Sequence, residues 1–500
     1  MTPRPSDYTG WQREIEAHAR SYGLDFFDTL FEVVDHDRMN QVAAYGGYPT
    51  RYPHWRFGME YEHLSKSYTW GLHRIYEMVI NNDPTYAYLL ESNGPVDQKL
   101  VIAHVFGHGD FFKNNLWFAR TNRKMMDQMA NHSTRIRRFI ERVGIERVES
   151  FLDACLSIED QIDPFAPFAE TEGPRRNLGA EEPPPSVRRM KSKDYMESFV
   201  NPPEFLEAQR KRLEEQARRA RRFPESPVRD LLKFLYDHAP LDAWERETLA
   251  IVREEAYYFA PQRQTKIMNE GWATYWHSRI MTERALRDDE VIDYADHHSG
   301  TVSTSGGRLN PYKIGVELFR DIEDRWNRGR FGPEWNRCEG RAERESWDRH
   351  LGLGREKIFE VRRLYNDVTF IDTFLTEDFC RRHHLFTFAW DGRRETWAIQ
   401  SRAFEDVKRA LLFQLTNFGR PYIAVTDGNW QNRGELYLSH RHEGVDLRAD
   451  WARETLRSIQ MIWRRPVALE TVVEGKPRIV AFDGSEFSER DAKSEAREPA

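Results

Sequence analysis

The stretch AHVFGHGDFFKNN, residues 103–115, decides how this chain is read, because His104 and His108 sit four apart in a run otherwise dominated by apolar and aromatic residues. Residues four apart on an α-helix differ by only about 40° around its axis. The spacing therefore predicts one helix, beginning near Asp97 and running past Phe118, that presents two imidazoles from one face. A neutral imidazole offers a nitrogen lone pair to zinc, iron, copper or nickel, and a helix carrying two at this spacing is one way to hold a single ion. Two core histidines bonded to backbone or carboxylate fit the same spacing.

A second stretch, TKIMNEGWATYWH at 265–277, supplies what the pair lacks. Glu270 and His277 are seven apart and share a helix face, among Ile267, Met268, Trp272, Ala273, Tyr275 and Trp276. A carboxylate is costly to bury there unless it is paired or coordinates a cation. Two imidazoles from one helix and a carboxylate from another make a His2Glu donor set with an open position. His277 completes that set or orients Glu270 from behind. The motif departs from the HExxH zinc helix, because Val105 stands where that helix carries its general base. A hydrolytic base then has to come from elsewhere, with Glu91, Glu254 and Glu255 as candidates. The same histidines and glutamates nearly supply a di-iron or di-manganese centre on facing helices, although the ExxH spacing of such centres is missing.

Around these stretches the chain has 500 residues, too many for one ordinary core, and 39% of them are hydrophobic. The net charge of -7 disfavours nucleic acid as the main partner. Cys155, Cys338 and Cys380 are far apart and have no CxxC spacing, as expected of reduced thiols in a cytosol. There is no signal-peptide core and no apolar run of about 18 residues, so a cytoplasmic protein without a membrane span is expected.

Periodicity organises the rest. Residues 8–45 read as helical, as does the stretch from 59 to about 82, and another helix is expected at about 132–160. Two long helical segments broken near Pro261 follow Pro240, and Asn310 and Pro311 cap a helix over 310–330. Six short strands and two helices are expected beyond about 350. The reading is an α-rich α+β protein. It has a large, mainly helical N-terminal body with a zincin-like or helical-bundle metal site, followed by a smaller α+β domain. In boundaries, residues 1–167 carry HxxxH, and 168–230 are a polar insertion ending in a charged helix. Residues 231–349 carry NEGWA and pack on the first part, and 350–490 form the C-terminal domain. His440 and His442, two apart on an expected strand, are a second pair directed to one face. The glycines of STSGGRLN lack the GK[ST] of a phosphate loop.

Four strings, HVFGHGDFFKNN, PQRQTKIMNEGWATYWH, LNPYKIGVELFRDIEDRWNRGRFG and GELYLSHRHEGVDL, together resemble the SpoVR-like family, the stage V sporulation protein R group, over nearly the whole chain. The resemblance implies a link to formation of the spore cortex, a peptidoglycan layer. Similar proteins in bacteria that make no spores imply a wider biochemical role. It also implies a PrkA-type serine kinase and a von Willebrand-like protein as partners, and it carries over no catalytic residue. The expectation is a divalent metal, zinc first with iron or manganese as alternatives, held by His104, His108 and Glu270. His277 or Glu91 would be a further ligand or support, and Glu255 and Glu91 the catalytic carboxylates. The activity expected is metal-dependent hydrolysis of amide or peptide bonds in peptidoglycan-derived or other peptides. A di-metal redox enzyme and a non-catalytic regulatory scaffold acting with the kinase are the alternatives.

Overall fold

A computed structural model describes residues 5–69, 77–169, 202–220, 223–301, 310–392 and 395–492. These residues are mostly helical with a smaller share of sheet, which is the α-rich α+β class. They divide into two units, one from Met1–Arg142 and Tyr257–Gly419, the other from Val143–Ala256 and Arg420–Ala500.

The first unit is built on three helices. The histidine helix, Pro95–Asn114, starts with proline at a position whose N–H would have no helical partner anyway, and Asp97 lies in its first turn. Apart from Leu100, every residue from Val96 to Phe112 is buried, as in a helix that runs through a core rather than along a surface. The NEGWA helix, Lys266–Ile280, is also buried along nearly its whole length. Its N-terminus is held by Asp367, whose carboxylate accepts from Ile267 N at 2.8 Å and Met268 N at 2.9 Å. The third helix, Pro311–Arg328, is capped by Asn310, as its Asn-Pro start predicts.

Small residues bring these helices together. A Cβ at Gly107 would lie 2.7 Å from the Cα of Ala273, and one at Gly271 would lie 2.5 Å from the backbone of Gly315. The NEGWA helix is thus in backbone contact with the histidine helix on one flank and with Pro311–Arg328 on another. Larger residues at these points would push the axes apart. Trp272 fills the adjoining core, edge-to-face with Phe319 at 5.3 Å and Phe359 at 5.2 Å. Its Nε1 donates to Asp110 Oδ2 at 2.8 Å. Burial raises the Asp110 carboxyl to about 6, against the opposing pull of Arg362.

The unit also has a mixed sheet of order β1-β3-β2, with β1 Thr29–Val34, β2 Glu77–Ile80 and β3 Thr85–Leu90. Here the helical reading of 8–45 and of 59–82 needs correction. Thr29–Val34 is a strand, paired in parallel with β3, and the helix begins only at His36. The β-branched and aromatic residues of TLFEVV suit a pleated strand, and pairing with TYAYLL outweighs a helical spacing. Glu77–Ile80 pairs antiparallel with β3, and the helix before it, Trp55–Thr69, ends earlier than expected. Residues 70–76 lie outside the described residues. The histidine helix stops at Asn114, where Asn115 begins a short 3-10 turn by accepting from Trp117 N. Pro261 does not break its helix, Ala243–Gln264, and the interruption comes at Thr265. Among the described residues a two-stranded hairpin, β4 Thr387–Asp391 with β5 Thr396–Ser401, completes the strands of this unit.

The second unit carries a five-stranded sheet of order β10-β9-β8-β7-β6. Its strands are β6 Tyr422–Trp430, β7 Glu435–Arg441, β8 Val467–Val473, β9 Lys476–Phe482 and β10 Phe487–Asp491. All neighbours are antiparallel except β7 and β8. A parallel pair needs a long crossover, and helix Ala449–Trp463 lies within it. The four strands and the one helix expected over 422–482 are present, and β10 is an addition. The charged run forms the helix Pro203–Ala220, while most of the polar insertion before it lies outside the described residues. Among the described residues no helix is long and apolar enough to cross a membrane.

Candidate metal centre

The close contact at Gly107 and Ala273 sets what meets across the two helices. Asn269, Glu270, Ala273 and His277 follow the three-and-four spacing of one helix face, and His104 and His108 flank Gly107. His104 and His108 are buried, with ring centroids 4.5 Å apart and planes at 86°. Their Nε2 atoms each lie 3.5 Å from Glu270 Oε2. Among the described residues His104, His108 and Glu270 form a group whose donor atoms all lie within 4.8 Å of one another.

The far side of each ring is held. His108 Nδ1 is 2.9 Å from Asn269 Oδ1, and His104 Nδ1 is 2.9 Å from His277 Nδ1. An amide oxygen can only accept, so His108 Nδ1 carries the proton, and whenever the ring is neutral its bare Nε2 faces Glu270. If His104 donates to His277, its Nε2 is bare as well. Tyr312, at the second position of its helix, stacks beside His104 with centroids 6.2 Å apart and planes at 26°. Asn310 fixes that start by accepting from Tyr312 N at 3.0 Å.

The distances decide between two kinds of contact. At 3.5 Å the Nε2–Oε2 pairs exceed the usual N–H···O range of about 2.7–3.2 Å, and Glu270 Oε2 is buried without a hydrogen-bond partner. Two bonds of about 2.1 Å at a tetrahedral angle separate their ligand atoms by about 3.4 Å. The spacing therefore fits donors around a cation better than donors bonded to each other. Burial pushes the Glu270 carboxyl up, and N–H donation and positive charge from protonated His104 and His108 outweigh it and pull the group well below the ordinary carboxylate range. Between neutral rings a cation would supply that charge instead.

His277 stands one step behind the group, on His104. Glu91 is exposed just past β3, its N–H donating to Val34 O at 2.9 Å. Glu255 is buried in Ala243–Gln264 and belongs to the second unit, and Glu254 beside it is half-buried. Val105 is fully buried in the core. Sequence reading passed over Asn269, although it directly precedes Glu270 in a buried helix, where an amide needs a partner as a carboxylate does. In the second unit His440 and His442 go separate ways. His440 Nδ1 is 2.9 Å from Thr471 Oγ1, His442 Nε2 is 2.8 Å from Asp446 Oδ1, and the rings are 6.0 Å apart.

The fold and this site define a mainly helical protein with a buried two-histidine, one-carboxylate cluster between two of its helices. The family of SpoVR like proteins matches residues 4–420, and the SpoVR-like C-terminal domain matches 421–474. The chain belongs to the SpoVR family. It is 29% identical over 506 residues to the uncharacterized protein YcgB of Escherichia coli (strain K12), covering 94% of each chain. No solved structure matches it.

Proposed function

We propose that His104, His108 and Glu270 hold one divalent cation, with zinc the expected ion, and that the centre serves metal-dependent hydrolysis of an amide or peptide bond. The observation that carries the reading is the buried, unpartnered Glu270 Oε2 lying equally far from two imidazole nitrogens. A cation there would act as a Lewis acid and ease the ionisation of water. The chain's own part is to keep three donors aimed at one point. Asn269 fixes the tautomer of His108, His277 backs His104, and Asp367 anchors the helix that carries Glu270. With three donors from the chain, a fourth position is left for water or substrate. One carboxylate in the group favours a single ion over a di-metal centre. Glu91 is the carboxylate of the same unit proposed to accept the proton, since position 105 offers none. Peptidoglycan-derived peptides are the proposed substrate class, on the strength of the family's link to the spore cortex.

Metal analysis of protein purified without a histidine tag tests the centre. About one zinc per chain, lost in His104→Ala, supports it. Two iron or manganese ions per chain would favour redox chemistry, and a metal-free chain would favour a scaffold beside a PrkA-type kinase. Release of peptide fragments from cell-wall peptides, absent in His104→Ala and weakened in Glu91→Gln, tests the hydrolytic step.

A further inference from the structure

Helix His36–Ala44, the loop after it and the helix Met125–Val143 border a cleft of about 700 Å³ in the first unit, and none of the three proposed metal donors lines it. Ligand pockets run to about 300–1,000 Å³, so this one suits an organic molecule rather than a bare ion. Two chemistries meet in its walls. The first is cationic, from the guanidinium groups of Arg38, Arg51 and Arg137. Arg137 is exposed, Arg38 half-buried and Arg51 only 8% exposed, so positive charge runs from the surface into the wall. The second is aromatic. The Arg51 guanidinium lies 5.0 Å from the ring centroids of both Tyr52 and Phe57. Phe57 meets Tyr45 and Tyr52 edge-on, each at 5.6 Å.

Two carboxylates also line the cleft, and both have other neighbours. Asp35 caps helix His36–Ala44 by accepting from Arg38 N at 2.7 Å, and Asp37 lies 3.7 Å from His36 Nδ1. Three guanidiniums against two carboxylates leave one formal positive charge. Guanidinium groups bind phosphate through paired N–H donors, and aromatic rings stack nucleobases whatever the base.

We propose that this cleft binds a mononucleotide, its phosphate on Arg38 and Arg137 toward the surface and its base against the half-buried rings of Tyr45 and Phe57, with the buried Tyr52 behind them. Isothermal titration of the full chain with AMP tests it, with inorganic phosphate and adenosine titrated separately. AMP should bind one per chain, at least about tenfold tighter than either fragment, and Arg38→Ala and Arg137→Ala should each weaken it about tenfold. Neither substitution opens the core, and circular dichroism checks that the fold is kept. His104→Ala should leave AMP binding unchanged, which separates this site from the metal centre. The proposal is overturned if AMP binds no tighter than phosphate, if it fails to saturate by about 1 mM, or if the Arg38→Ala/Arg137→Ala double variant binds it as well as the parent.

Discussion

Two histidine pairs look alike in the sequence and differ in the fold. His104 and His108 share a helix face, whereas His440 lies on β7 and His442 falls just past its end. The helical pair turns its Nε2 atoms to a common third group, Glu270, while its Nδ1 atoms are held by His277 and Asn269. The strand pair parts company, one ring on Thr471 and the other on Asp446. Spacing brings two imidazoles to one side of an element. It does not supply the distant donor that gives them a shared task.

The sharpest way to break this contrast is to remove a donor. His104→Ala or Glu270→Ala should take bound metal from about one ion per chain to almost none, measured by mass spectrometry of dialysed protein. His440→Ala and His442→Ala should leave the metal content unchanged, and a loss there would erase the distinction. Next in size is the packing that produces the convergence. Gly271→Val places side-chain atoms against the backbone of Gly315 and should destabilise the protein by about 3 kcal/mol in urea unfolding, with metal content falling as well. Asn269→Ala should keep the fold and weaken metal binding by about 10–100-fold in a competitive chelator titration.

A smaller, pH-dependent effect sharpens the account of the helix that carries Glu270. Burial pushes the Asp367 carboxyl up to about 7, against the N–H groups of Ile267 and Met268. A carboxyl raised by folding binds its proton more tightly in the folded state. Its stabilising contribution is therefore full below about pH 4 and is lost as pH rises through 7. Urea unfolding of metal-free protein at pH 5 and pH 8 should show a smaller drop in stability for Asp367→Asn than for the parent.

Much of the candidate site was legible because chemistry and period agreed. His104 and His108 stood out at a spacing of four, and Glu270 stood out as an acid among tryptophans. Asn269 was masked by that louder neighbour, since an uncharged amide attracts less notice although its burial makes the same demand for a partner. Gly107, Gly271 and Gly315 read locally as poor helix formers. Their value as points of backbone contact exists only once distant helices meet. In the fold, the four strands and the helix over 422–482 were readable because turn residues punctuate them. Thr29–Val34 was not, because its pairing partner β3 lies more than fifty residues on and the stretch between helices carried no turn signal strong enough to stop a helical reading.

The pinched seams at Gly107 and Gly271 also limit how the centre can fail. A rod clamped backbone to backbone on two flanks has little sideways play, and its free direction is lengthwise. Slippage by one residue is only about 1.5 Å, yet it swings each side chain through about 100°. A slip that small would carry Glu270 off the imidazoles altogether. The donor cluster therefore behaves as a key with a single notch, assembled in one register and gone in the next.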